Sequence, residues 1–277
     1  MATAIRKRSA GISNGVAVNG VDALLEIPRD VHTWDGFHAW VLGDDFPEKL
    51  RVTYAAGKVY LDEVEIPRDV HTLAGFRSWM LSDDCPEKLR ACYLQGKVYL
   101  DMSKEEIRSH ALVKIEVGGV LRNLNVEVDF GYLFIDGVLI VNLAAKVSNN
   151  PDGVAVLWRS LKRGHVRFLA KRGRETEIIG SPDWVMEILS DSSVAKDTIK
   201  LRHLYQRAKI GEYWLIDARG EEIDFQILHW RKAGYMTAPI MGGWQYSRVF
   251  GRSFRLVRRR DRLGSWTYRL LMKKLAN

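Results

Sequence analysis

The run Trp184 to Leu189 (WVMEIL) is apolar except for one carboxylate, Glu187. It is too short for a helix, and its large side chains suit a strand buried on both faces. An ionised acid inside such a strand is costly unless donors, a cation or a metal ion meet it. An Arg or Lys is the common partner of a strand glutamate, and a metal ion is the other candidate. A second acid, Asp152, follows Pro151 at the mouth of the apolar run Val154 to Leu157, where proline can open a strand but cannot sit inside its ladder. Read alone, Asp152 is equally a turn aspartate. Two cations, Lys196 and Lys200, stand one helical turn apart just beyond the Glu187 strand, in positions where most lysines are simply solvated.

The elements around these residues follow from spacing. Ser190 to Ser193 suit a turn and helix N-cap, and Val194 to Lys209 carry helical periodicity, with Val194, Leu201, Leu204, Tyr205 and Ala208 on the apolar face. Gly211 ends that helix and Tyr213 to Ile216 form the next strand, stopping at Asp217. Strand, crossover helix and strand normally form a parallel, right-handed unit. Upstream, the Ser103-Lys-Glu-Glu106 capping box opens a helix with Ile107, Ala111, Ile115, Gly118 and Leu121 on one face. His110 and Glu116 lie elsewhere on its surface as candidate supporting residues. Gly131 to Ile135 and Val138 to Leu143, separated by Asp136-Gly137, read as a tight hairpin. Arg159 to Arg174 read as irregular, Glu175 to Ile179 as an edge strand, and Glu222 to Trp230 and Tyr246 to Phe250 as strands.

The chain has 277 residues, 47% hydrophobic and 27% charged, the profile of a soluble globular protein large enough for a substantial core. Its formal net charge of +8 favours a polyanionic partner. The C-terminal stretch interleaves Arg and Lys with Phe254, Trp266 and Tyr268, letters that fit a phosphate-binding surface and a charged strand pair equally well. Cys85 and Cys92 have no zinc or redox spacing, and the seven histidines show no paired ligand spacing. No run reaches transmembrane length and the N-terminus lacks a signal-peptide core, so the expectation is a cytoplasmic protein without membrane contact.

Residues 1–25 read as a flexible basic tail. Ile27 to Asp62 then recurs closely at Ile66 to Asp101, each copy suggesting a short helix and a hairpin turning near Gly57 or Gly96. The second copy runs straight into the Ser103 helix. The expectation is therefore that residues 26–64 are an extra copy, with the second copy (65–101) integrated into a domain spanning 65–277.

Strand-borne Asp152, Glu187 on a second strand and lysines on the next helix together resemble the PD-(D/E)xK nuclease superfamily. More closely, Pro182-Asp183, Glu187 with Ile188-Leu189-Ser190, Asp197, Tyr205, Gly211 and Glu212-Tyr213-Trp214-Leu215-Ile216-Asp217 resemble the signature of the Uma-type (Uma-two) endonuclease family. The resemblance covers Ile66 to about Leu270. It implies an α/β fold with a restriction-endonuclease-like core, a mixed central sheet flanked by helices, here with the duplicated helix-hairpin unit in front. It also implies that Asp152 and Glu187 are metal ligands for Mg2+, with Mn2+ able to replace it, and that Asp183, Asp197 and Tyr205 support them. The superfamily lysine two residues after the acid is Leu189 here, and the family's helix lysine, four residues before Tyr205, is Leu201. Lys196 and Lys200 are the neighbours left to act as the catalytic cation. The implied activity is metal-dependent DNA hydrolysis, with DNA as partner and a homodimer admitted. The alternatives are a non-cleaving descendant that binds nucleic acid or a partner protein, and an interaction module built on the repeats.

Overall fold

A computed structural model of the protein describes residues 2–3, 24–43, 46, 50, 52–61, 64–82, 85, 89–101, 106–171, 174–191 and 193–274. Most of the expected basic tail, and Ser103 of the expected capping box, lie outside the described residues. The chain forms two compact units, Met1–Ser103 and Lys104–Asn277.

The first unit contains β1 (Ala2–Thr3), β2 (Leu24–Ile27), α1 (Trp34–Leu42), β3 (Val52–Ala55), β4 (Lys58–Leu61), β5 (Val64–Ile66), α2 (Leu73–Met80), β6 (Ala91–Leu94) and β7 (Lys97–Asp101). Both hairpins turn where two successive residues take positive φ, Ala56-Gly57 and Gln95-Gly96, the geometry that matches strand twist. Strand order is β1-β3-β4-β5, with β6, β7 and β2 side by side in that order. Both repeat copies thus lie in one unit, where the sequence reading drew a boundary between them. The reason is the pairing: β2, which leads the first copy, lies on β7 of the second, and β5, which leads the second, lies on β4 of the first.

The second unit opens with a π-helical turn (Ile107–Ala111) that continues as α3 (Leu112–Val128). Glu106 caps it, its carboxylate accepting from the Arg108 and Ser109 amides. There follow β8 (Gly131–Ile135), β9 (Leu139–Asn142), β10 (Val147–Asn149), β11 (Gly153–Leu157), α4 (Trp158–Lys162), β12 (Val166–Lys171), β13 (Arg174–Gly180) and β14 (Trp184–Ile188). A second π-helical turn (Lys196–Leu201) leads into α5 (Arg202–Arg207), then β15 (Glu212–Asp217), β16 (Asp224–His229), β17 (Met236–Thr237), β18 (Gln245–Ser247), β19 (Arg252–Arg260) and β20 (Trp266–Lys273).

A six-stranded sheet in the order β17-β16-β15-β14-β11-β8 carries the site; β12-β13-β9-β10 run side by side, and β18-β19-β20 form a small sheet. β14 and β15 pair in parallel around α5, as the spacing of Trp184 to Asp217 predicts. The fold is accordingly mixed α/β. Three expectations are corrected. Asp136 and Gly137 do take positive φ, but β8 pairs with β11 while β9 pairs with β10 and β13, so the turn passes the chain between sheets and closes no hairpin. The stretch expected to be irregular contains most of α4 and all of β12, and its last residue, Arg174, opens β13. β13 lies between β12 and β9 and is no edge, because Ile178 and Ile179 need cover.

Strand alternation divides the sheet residues. Trp184, Met186, Ile188, Trp214 and Ile216 join Val113, Val117, Leu121 and Leu124 of α3 and Phe254, Leu256 and Leu270 of the last hairpin in one core. Val185, Glu187, Tyr213 and Leu215 alternate with these and face the other way, toward α5, where Tyr205 packs on Tyr213 with ring centroids 5.3 Å apart.

Candidate active site

Glu187 is the next-to-last residue of β14, the end at which open sheets with parallel strands place their ligands. β11 runs antiparallel beside it with Gly153 opposite Met186, so one further step brings Asp152 level with Glu187. The π-helical turn then delivers Asp197 and Lys196 to the same place. Glu187, Asp197 and Asp152 influence one another's ionisation, so the three carboxylates form one electrostatic cluster.

Each acid is held differently. Asp152 Oδ2 accepts from the Ile188 amide at 2.8 Å and lies 3.3 Å from His110 Nε2, while Oδ1 lies 3.0 Å from Lys114 Nζ. Burial pushes this carboxyl up, but the His110 hydrogen bond and the charges of His110 and Lys114 outweigh it and bring it down to about 2. Glu187, 3% exposed, accepts from Tyr205 Oη at 2.6 Å and Asn149 Nδ2 at 2.9 Å, both at Oε1. Burial first, and then the charge of Asp197, push Glu187 well above the usual carboxylate range, only partly offset by Lys196. Asp197 is pushed up by burial, with Lys196 and Ser193 working against it. Lys196 Nζ lies 3.3 Å from Asp197 Oδ1, a charge contact that leaves this buried oxygen without an aligned hydrogen bond.

Glu212 shows what a purely structural buried acid looks like in this chain. Its Oε1 accepts from Trp214 Nε1 at 2.7 Å and Ser247 Oγ at 2.6 Å, and its Oε2 from the Arg248 amide at 2.8 Å. Donors on both oxygens compensate its desolvation. Glu187 and Asp197 are left with less, and beside each other.

Of the residues expected from sequence, Asp152, Glu187, Lys196, Asp197, Tyr205 and His110 meet here. Lys200 is exposed on the helix surface. Asp183 stands at the start of β14, where it accepts from the Leu157 amide and Ser160 Oγ and secures the entry to α4. Glu116 accepts from the Leu270 amide and ties α3 to β20. Two site residues escape the sequence reading. Lys114, 6% exposed, bridges Asp152 and Asp136, with Nζ 3.1 Å from Asp136 Oδ2. Its signal was spacing: His110 and Lys114 extend the buried stripe of Val117 and Leu121 by two turns. Asn149 donates to both Glu187 and Tyr205, but its Asn-Asn-Pro-Asp setting reads only as a turn.

Residues 80–249 match the model of a family described as "Uma2: Putative restriction endonuclease". The chain belongs to the Uma2 family. Nuclease activity is the function to which this membership points. A solved structure titled as a "putative nuclease belonging to DUF820" from Anabaena variabilis ATCC 29413 is 18% identical, covers 65% of this chain and 90% of that one, and superposes with a TM-score of 0.47. Comparison with curated proteins gives no match. No helix among the described residues is long and apolar enough to cross a membrane.

The donor chemistry suits a hard divalent ion: three carboxylates crowded in a buried place, one oxygen lacking an aligned donor. Among the described residues, no group of three or more His, Cys, Asp and Glu side chains is arranged as a ready cage. Mg2+ is commonly held without one, by one or two carboxylates plus water and substrate phosphate.

Proposed function

We propose that this Uma2 protein is a metal-dependent endonuclease that hydrolyses DNA phosphodiester bonds, using Mg2+ or Mn2+ held by Asp152 and Glu187. The observation that carries this reading is the convergence of Asp152, Glu187 and Asp197 in a buried cluster, where burial first and then the charges of Asp197 and Asp152 hold Glu187 above its usual range. Glu212, a buried acid with a structural role, instead stands apart and meets donors on both oxygens. When bound, the ion would polarise the phosphate and supply a hydroxide-like nucleophile.

The chain's own groups supply the rest. His110 and Lys114 hold the Asp152 carboxylate ionised and in place. Tyr205 and Asn149 fix the rotamer of Glu187 through Oε1. Lys196, with a side chain 11% exposed and anchored beside Asp197, brings an ammonium to the carboxylates to offset charge on the transition-state phosphate. Lys200, exposed on the helix surface, would assist through the approach of DNA. The net charge of +8 suits a polyanionic substrate.

Calorimetric titration with Mn2+ tests the ligand assignment. Asp152→Ala and Glu187→Gln should each weaken binding at least about tenfold, a 1.4 kcal/mol loss. Unchanged affinity in both variants removes the proposed metal site.

A further inference from the structure

The two repeat copies do not fold side by side; they exchange strands. β2, Leu-Leu-Glu-Ile at the head of the first copy, pairs antiparallel with β7 of the second, Leu25 opposite Leu100 and Ile27 opposite Val98. Reciprocally, β5 at the head of the second copy pairs with β4 of the first, Ile66 opposite Val59. Each helix nevertheless stays on its own hairpin: Phe37 of α1 packs on Tyr54, ring centroids 5.4 Å apart, and Phe76 of α2 on Tyr93, at 5.9 Å.

Contacts across the exchange come in matched pairs. Arg29 donates to the Gly96 carbonyl and Arg68 to that of Gly57, at the tip of the other copy's hairpin in each case. His32 Nε2 donates to Pro67 O at 3.3 Å and His71 Nε2 to Pro28 O at 3.1 Å. Lys97 pairs with Glu26 at 3.0 Å and Lys58 with Glu65 at 2.7 Å.

The segment between strand and helix, Pro-Arg-Asp-Val-His-Thr in both copies, is a rigid corner. The Thr33 amide donates to Asp30 O and the Thr72 amide to Asp69 O, both at 2.8 Å, and each threonine hydroxyl then caps its helix by accepting from Gly36 or Gly75. A Cβ on Gly36 would stand 2.2 Å from Asp30 O, and one on Gly75 equally close to Asp69 O, so corner and helix start are locked together where only glycine fits. With the corner fixed, the leading strand is aimed away from the hairpin under its own helix.

We propose that the repeat is a strand-exchange module whose natural partner is a second copy of itself. A chain carrying one copy has to take the missing strand from a second molecule; the tandem duplication closes that pair within one chain. Ile27 and Ile66, both fully buried at the exchanged positions, supply the apolar part of the attraction.

Two experiments test this. Deleting residues 26–64 joins Leu24-Leu25 to Glu65-Ile66, which restores Leu-Leu-Glu-Ile ahead of the second copy. Light scattering after size exclusion should give this variant twice the number of chains per particle found for the full protein. An unchanged number of chains, with a folded or an unfolded chain, overturns the module. Cross-linking in the full-length protein tests the exchange itself, in a Cys85→Ser/Cys92→Ala background. Glu26→Cys with Tyr99→Cys should oxidise to an intrachain disulfide, since these residues are register partners, whereas Glu65→Cys with Tyr99→Cys should not. The opposite pattern shows that each copy closes on its own strand.

Discussion

Glu187→Gln should make the protein more stable while abolishing the proposed function. Gln keeps the shape and the Oε1 acceptor for Tyr205 and Asn149, but removes the charge that faces Asp197 and Asp152. The native carboxyl is held well above its ordinary value, so the folded state binds the proton more tightly than the unfolded chain does. This contribution to stability is fully present below the unfolded value near 4.5 and is lost progressively as pH rises above it toward the folded value. Against this gain, the hydrogen bonds to Oε1 lose their charge-assisted character, a loss on the order of 1 kcal/mol. The net effect should be a gain, read as a higher Tm for the variant. Differential scanning calorimetry in chelator at pH 5 and pH 8 checks it. The variant should melt higher at pH 8, with a smaller difference at pH 5. Equal shifts at both pH values, or a lower Tm at pH 8, would refute the claim that the fold disfavours the ionised form of Glu187.

Lys196→Met should lower turnover by roughly 10²-fold with Mn2+ affinity nearly intact, whereas Lys200→Met should change turnover by less than about threefold; single-turnover cleavage separates the two. Lys114→Met leaves Asp152 and Asp136 without their shared cation and should cost about 3 kcal/mol in urea unfolding, as expected when one partner of a buried pair is removed. DNA affinity measured in Ca2+ should fall steeply between low and physiological salt, because released counterions drive binding; an affinity indifferent to salt contradicts a phosphate-backbone partner.

Much of the site was legible because two periodicities intersect in it. The WVMEIL run placed Glu187 in a buried strand, and the helix after it brought Asp197 and Tyr205 onto the same face of the sheet. The sequence favours Lys196 over Lys200 only through its first-turn position. Lys196 and Lys200 differ by one turn in sequence, but the π-helical turn over Lys196–Leu201 changes which side chains face the sheet. Lys114 was hidden by chemistry: an ammonium on a helix reads as solvated until its two carboxylate partners, Asp136 and Asp152, are brought from distant turns. Asp136-Gly137 misled for a related reason. A turn dipeptide specifies backbone geometry locally, while which strands pair is decided by the burial available to each, and β8 and β9 found it in different sheets. The repeat was plain in the sequence, yet strand exchange depends on the direction in which the Pro-Arg-Asp-Val-His-Thr corner sends the chain, which no periodicity encodes.

The most direct test of the central claim is cleavage of supercoiled plasmid by the purified protein in Mg2+, with chelator and with Glu187→Gln prepared in parallel. A metal-dependent endonuclease gives nicked and linear products from the wild-type protein in Mg2+, and none in chelator or from the variant. Equal cleavage by wild type and Glu187→Gln, or the absence of cleavage by a wild type that binds Mn2+ and DNA normally, would contradict it.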